Sequence, residues 1–269
     1  MNVELHRKLR HLRLSGFVNA LPVRNQEAIA NHLAYVEFLE LLVEDELTRR
    51  RDLLFQRRLK QAHVPQLKTL DNFDWTFNPK IPKQLILDLA TSRFVGEHSG
   101  VLLIGPPGTG KTHIALALTC NAIGAGYTAL YRSAFDLVQD FAEASATGTR
   151  PQLVLNLTRV DLLVIEDLGM KQLPATAAED LLEVFTRRYE QGAVALTTNR
   201  PLQDWGVMLG DTAAAGAILD RFLHHAEVIQ LGPRSYRMHQ RQQREATSSK
   251  AGLDRSGLVT KGGPAPDAA

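Results

Sequence analysis

Apolar and polar residues follow two different rhythms along this chain, and the change between them divides it. Residues 1 to about 70 show no strand-like alternation and no glycine cluster. Their spacing is helical, clearest at Ile29, Leu33, Val36, Leu39 and Val43, and predicts an all-α segment. Further on, short strand-like runs take over, apolar at every position in 101–104, 162–165 and 193–196 and mixed in TALYR (128–132) and EVIQL (227–231). Runs without alternation suit parallel strands covered on both faces. Helical stretches separate them: HIALALTCNAI after the first run, a helix starting near Ser133 after the second, Ala175 to Gln191 before the fourth and AILDRFLHHA before the fifth. The pattern predicts an α/β core with a five-stranded parallel sheet flanked by helices, preceded by a small all-α domain. The boundaries are 1–70 for the helical domain, 71–98 for a linker and a helix from Pro82 to Val95, 99–240 for the core and 241–269 for a disordered tail rich in Gly, Ser, Pro and Ala. Residues 145–151, SATGTRP, read as a polar loop. There is no internal repeat.

Composition narrows the class. The chain has 269 residues, 44% of them hydrophobic, enough for a sizeable core. No apolar run approaches the roughly 18 to 20 residues that span a bilayer, and the first residues lack a signal-peptide core, so a cytoplasmic protein without membrane contact is expected. The single cysteine, Cys120, excludes an intramolecular disulfide and is expected to be buried. A net charge of +2 decides nothing, but its distribution does. In RRRDLLFQRRLK, Arg49, Arg50, Arg51, Arg57, Arg58 and Lys60 stand against Asp52. On a helix these cations do not segregate to one side, as they would on a helix lying flat on a core. A projecting helix that meets the phosphates of duplex DNA is one reading; a solvated helix with arginine stems over apolar neighbours is the other.

The chemistry concentrates after the first strand. Gly105-Pro106-Pro107-Gly108-Thr109-Gly110-Lys111-Thr112 fulfils GxxxxGK[ST], and His113 follows it. Such a loop turns backbone N–H groups inward around phosphates, with Lys111 reaching the β and γ phosphates of ATP and the Thr112 hydroxyl available to Mg²⁺. Two acids, Glu166 and Asp167, close the third strand at the end where the loop lies; one suits the Mg²⁺ shell, here Glu166, and the other an attacking water. Asn199 closes the fourth strand beside the expected γ-phosphate. Phe73, Trp75 and Phe77 in the linker either pack on adenine or join the two domains. His224 and His225 read as packing or surface histidines.

The P-loop after the first strand, the acid pair after the third and the polar end of the fourth resemble the AAA+ class of P-loop ATPases. GPPGTGKTH, TTNRPLQDWG and LDRFLHHAEVIQLGPRSYR are similar to the IstB family, ATPase helpers of insertion-sequence transposases, with DnaC-type helicase loaders as near relatives. The resemblance implies that Lys111 and Thr112 bind nucleotide and Mg²⁺, that Glu166 and Asp167 hold the Walker B positions and that Asn199 is sensor 1. It makes Arg221 an arginine finger reaching a neighbouring subunit, with Arg234 or Arg237 as sensor 2. Duplex DNA, a cognate transposase and a homo-oligomer formed with ATP and DNA are the implied partners. Helicase loading, a nucleotide-gated module with little turnover and a small-molecule kinase are the rival functions. The Glu-Asp order departs from the usual Asp-Glu and shortens the presumed base by one methylene.

Overall fold

The structure, a computed structural model, describes residues 3–170, 173–239 and 241–242. Its centre is a sheet of five parallel strands, β1 (Gly100–Ile104), β2 (Ala129–Ser133), β3 (Leu162–Leu168), β4 (Ala193–Thr198) and β5 (Ala226–Gln230), ordered β2-β3-β4-β1-β5. Leu102 pairs with Leu196 on one side and Val228 on the other. The unbroken apolar runs acquire their reason here. Val101, Leu103, Leu162, Val164 and Ala195 face one core, and Leu102, Leu163, Ile165, Val194 and Leu196 face the other. Strand order reverses at β1, whose neighbours are β4 and β5 although the chain goes on from it to β2 at the sheet edge. A crevice opens at the carboxyl ends of the strands at such a point.

On the first face lie α4 (Lys83–Ala90), α5 (Arg93–Gly96) and α6 (Lys111–Gly124). The second carries α7 (Ala134–Thr147), α8 (Arg150–Arg159), α9 (Ala175–Arg188), α10 (Trp205–Leu209) and α11 (Thr212–Leu223). Two expectations are corrected. The helix expected from Pro82 to Val95 is broken by Ser92 at φ 64°, giving α4 and α5. The polar loop expected at 145–151 is mostly helix: α7 runs to Thr147, Gly148 turns with φ 72°, and Pro151 fits the first turn of α8, where its missing N–H costs nothing. Cys120 is buried in α6, as expected.

Arg188, at the end of α9, is 1% exposed. Its guanidinium donates to the carbonyls of Leu157, Thr158 and Val160 at the end of α8, and to those of Asp161 and Ala193 at the starts of β3 and β4. Gly192 leaves room for it: a Cβ there would lie 2.7 Å from Nη2.

In front of the sheet, α1 (Val3–His11), α2 (Ser15–Asn31) and the long α3 (Tyr35–Gln61) form a helical segment. Gly16 lets α2 cross close to α3, since a Cβ there would meet the Glu46 backbone at 2.5 Å. Glu46, 5% exposed, accepts from the Gly16 amide at 2.6 Å and from Arg50 at 2.6 Å. Burial alone would raise its carboxyl, but Arg50 and the amides of Gly16 and Phe17 outweigh it and hold the carboxyl below its ordinary value. Arg24 adds a bidentate pair with Asp45. The helical spacing read from Ile29 to Val43 does not belong to one helix. His32, left-handed at φ 50°, ends α2, and Ile29, Val36, Leu39 and Val43 are exposed. Nor does α3 project freely: it packs along α2, and Leu59 and Phe55 join the core beneath α6. No helix among the described residues is long and apolar enough to cross a membrane.

Candidate nucleotide site

The loop from Gly105 to Gly110 connects β1 to α6 at the carboxyl end of the sheet, with Gly108 at φ 81° and Gly110 at φ 104°. Gly110 is required twice, because a Cβ there would also stand 2.7 Å from the Phe73 ring. Lys111 is 5% exposed and its Nζ donates to the carbonyls of Gly105 at 2.7 Å and Pro106 at 3.0 Å. Burial holds its ammonium below the ordinary lysine value, and Arg237 adds to the depression while Asp167 and Glu166 oppose it. Thr109 closes the loop by donating to Pro106 O at 2.9 Å.

The cleft over this loop measures about 460 Å³, and Lys111, Thr112, Asp167, Asn199 and Arg237 share its wall. It is large enough for a nucleotide. Phe73 and Phe77 line it as well. Phe73 meets His113 edge-on at 5.2 Å and Trp75 at 4.7 Å, so the linker aromatics both line the cleft and hold the linker to α6. The chain after β5 folds back over the loop: Leu231 N donates to Ile104 O, Tyr236 N to Gly108 O, and Asn78 Nδ2 to Arg234 O. That return brings Arg237 to the wall; Arg234 is exposed and not among the lining residues.

The acid pair is split. A register shift between Ile165 and Leu168 and a left-handed Asp167, φ 54°, turn the two carboxylates different ways. Asp167 lines the cleft, its amide donating to Thr197 Oγ1 at 2.8 Å. Glu166 instead accepts the Tyr131 hydroxyl from β2. Burial first, and Glu166 second, push that phenol well above its ordinary value. Sequence reasoning read Tyr131 only as part of a strand; nothing short of the β2–β3 register, which sets Tyr131 beside Val164, identifies it. Asn199 Oδ1 is buried without a hydrogen-bond partner. A hydroxyl, a carboxylate and an orphaned amide oxygen beside a buried lysine are donors that suit Mg²⁺ and a triphosphate.

Arg221 is elsewhere. It lines a shallow pocket with Gly100, Gly192 and Val194, at the amino ends of β1 and β4, and donates to Ala217 O. A five-residue strand is about 16 Å long, so Arg221 and the P-loop sit at opposite poles of the sheet. Near it, Glu190, His224 and His225 are exposed and bring ligand atoms within 4.8 Å of one another. Of the basic run, Arg49 donates to Ser15, Arg50 pairs with Glu46 and Arg51 with Glu44. The side chains of Arg57, Arg58 and Lys60 enter no recorded ion pair among the described residues.

The family model for IstB-like ATP binding proteins matches residues 7–244. The chain belongs to that family. An insertion sequence IS5376 protein of Geobacillus stearothermophilus, described as ATP-binding, is 31% identical over 91% of this chain and 98% of its own length. The corresponding IS21 protein of Pseudomonas aeruginosa is 35% identical over 80% of this chain and 82% of its own. Among solved structures, the replication initiator DnaA bound to AMPPCP and single-stranded DNA matches with a TM-score of 0.53 and 22% identity, over 62% of this chain and 50% of that one. DnaI matches at 0.52 and 20%, over 65% and 92%. These likenesses establish the fold of the IstB-like chain as that of P-loop AAA+ ATPases.

Proposed function

We propose that this IstB-like chain is an ATP-hydrolysing, DNA-binding helper of transposition that assembles on duplex DNA and recruits or activates a transposase. The cleft carries the reading: Lys111, Thr112, Asp167 and Asn199 converge above a glycine loop at the strand ends, and Asn199 presents a buried oxygen with no partner. Its membership of a family whose relatives come from insertion sequences supports the transposition context.

In this reading the loop amides from about Pro107 to Thr112 cradle the phosphates, and Lys111 exchanges its two carbonyl partners for phosphate oxygens. Mg²⁺, held by Thr112 and a carboxylate, would neutralise charge on the transferred phosphoryl group. Asp167, the carboxylate on the cleft wall, is the better placed of the pair, and Asn199 orients the attacking water. Glu166 takes a proton or a metal-side role only after leaving Tyr131. Arg221 completes the site of a neighbouring protomer, since its own cleft lies at the other pole. Arg57, Arg58 and Lys60, with the more engaged Arg49, Arg50 and Arg51, meet DNA phosphates.

The test is ATP turnover by the purified chain with and without duplex DNA, with light scattering in the same samples and Lys111→Ala as control. Turnover and assembly that both rise with DNA are expected. No response of either to DNA would overturn the proposal. The hold of Tyr131 on Glu166 favours a second reading, a nucleotide-gated module; assembly on DNA without turnover would select it.

A further inference from the structure

Two connections meet at the amino pole of the sheet, away from the nucleotide cleft. The turn from α9 to β4 carries Tyr189 and Glu190, and the turn from α11 to β5 carries His224 and His225. Both stand on a firm base. α9 and α11 lie side by side with Phe185 meeting Phe222 edge-on at 5.6 Å, the Arg188 guanidinium fixes the end of α9, and the Gly100 amide donates to His225 O and ties the second turn to β1. Above that base Glu190, His224 and His225 are exposed, and each brings a ligand atom within 4.8 Å of the others. His225 Nε2 and Glu190 Oε1 are already 3.4 Å apart. That is about the spacing of two ligands on a tetrahedral ion with bonds of roughly 2.1 Å. The two imidazole rings lie 3.9 Å apart between centroids, and the Tyr189 ring runs nearly parallel to both, at 6.0 and 6.2 Å. Tyr189 Oη stands 2.8 Å from His224 Nδ1 and limits the rotation of that ring.

We infer that Glu190, His224 and His225 bind one divalent transition metal of the zinc class. Donor chemistry selects the ion. Two imidazoles with one carboxylate suit Zn²⁺, Ni²⁺ or Cu²⁺, whereas Mg²⁺ prefers oxygen ligands throughout and belongs at the other pole, with the phosphates. The three side chains are exposed, so rotation about their own bonds draws them in from the 4.8 Å spread without disturbing the core. Three protein ligands leave the fourth position to water. An ion held here clamps the turn before β4 to the turn before β5, two segments far apart in the chain that otherwise meet at this pole through packing and one weak Glu190–His225 contact. Arg221 and His225 line the same shallow pocket, so the clamp lies beside that arginine. The site uses no residue of the nucleotide cleft, and its failure and the failure of the proposed function are separate results.

Calorimetric titration of the full chain with Zn²⁺, without a histidine tag or nucleotide and with Mg²⁺ in excess, should show one equivalent bound with micromolar affinity. Glu190→Gln and His225→Ala should each weaken it about tenfold or more. His6→Ala with His11→Ala, on α1, should leave it unchanged. The dependence on Glu190 separates a built site from a metal caught by paired surface histidines alone. Melting is the second measurement: zinc should raise the melting temperature of the parent and leave that of the Glu190→Gln, His225→Ala double variant where it is, while the two proteins melt alike without zinc. No zinc bound at tens of micromolar, an equivalent indifferent to Glu190→Gln and His225→Ala, or one displaced by Mg²⁺ would each overturn the inference.

Discussion

Replacing Arg188 with Met tests whether one buried cation holds the amino-terminal edge of the sheet to α8. Of its five acceptors, Asp161 O also takes the Ala193 amide and stays satisfied. The carbonyls of Leu157, Thr158 and Val160 have no other donor among the described residues, so Met leaves three acceptors unpaired, that of Leu157 buried and those of Thr158 and Val160 part-buried. At about 1–3 kcal/mol each, the loss centres on about 6 kcal/mol. Against this stands the burial of the charge itself. Burial lowers Arg188 from 12.5 to about 10, with Asp161 opposing, and its Nε has no partner. That shift corresponds to about 3 kcal/mol, which Met recovers. The net expectation is destabilisation of about 3 kcal/mol, a large part of the 5–15 kcal/mol that typically holds a domain together. Urea unfolding followed by circular dichroism measures it. Arg150→Met is the control, because its pairs with Asp180 and Glu183 are partly solvated and are worth at most about 1 kcal/mol. If Arg188→Met fell within about 1 kcal/mol of the parent, the carbonyls would have found other partners and the accounting would be wrong.

Three further outcomes are expected. Tyr131→Phe should release Glu166 towards the cleft and raise DNA-free ATP turnover severalfold with little change in nucleotide affinity; unchanged or reduced turnover would remove the restraining role. Raising pH should weaken ATP binding at values below those at which an ordinary lysine titrates, since burial depresses Lys111, and Lys111→Gln should lose that slope in a fluorescent-nucleotide titration. Over the same window the nucleotide-free fold should gain stability, because the unfolded chain holds the lysine proton more tightly and binds more protons there. Arg221→Ala should lose turnover by about 10³ or more, and mixing it with Lys111→Ala should restore part of the activity, the second chain lending its arginine to the first chain's cleft. No recovery in the mixture would return Arg221 to a packing role.

Local signals carried most of what could be read from the residues alone. A strand buried on both faces must be apolar throughout, and a phosphate loop needs its glycines and lysine in one short stretch, so β1, β3, β4 and Gly105–Thr112 were legible. The N-cap of α7 was legible for the same reason: Ser133 accepts from the Asp136 amide. α8 escaped because SATGTRP combines several turn formers, and a proline at a helix start looks the same as one in a loop. The helical front misled through its period. A stripe crossing His32 is continuous in spacing but not in space, and its apolar members face outward. At the site, Tyr131 and Arg237 come from distant parts of the chain, and only the strand register and the fold-back after β5 bring them to Glu166 and Lys111. The division between Glu166 and Asp167 depends on one left-handed residue, which composition does not announce.

The separation of Arg221 from the P-loop by the length of the sheet gives the molecule a head and a tail. If the arginine serves another chain's cleft, a row of n chains contains n − 1 complete sites, with an unserved cleft at one end and an idle arginine at the other. Specific activity per chain then climbs with row length and levels off, and a single Arg221→Ala chain within the row silences one neighbour rather than the whole row. Nothing in such head-to-tail joining fixes n. The length is left to whatever the row is built along, so a polymer of DNA could act as a ruler for activity as well as a ligand.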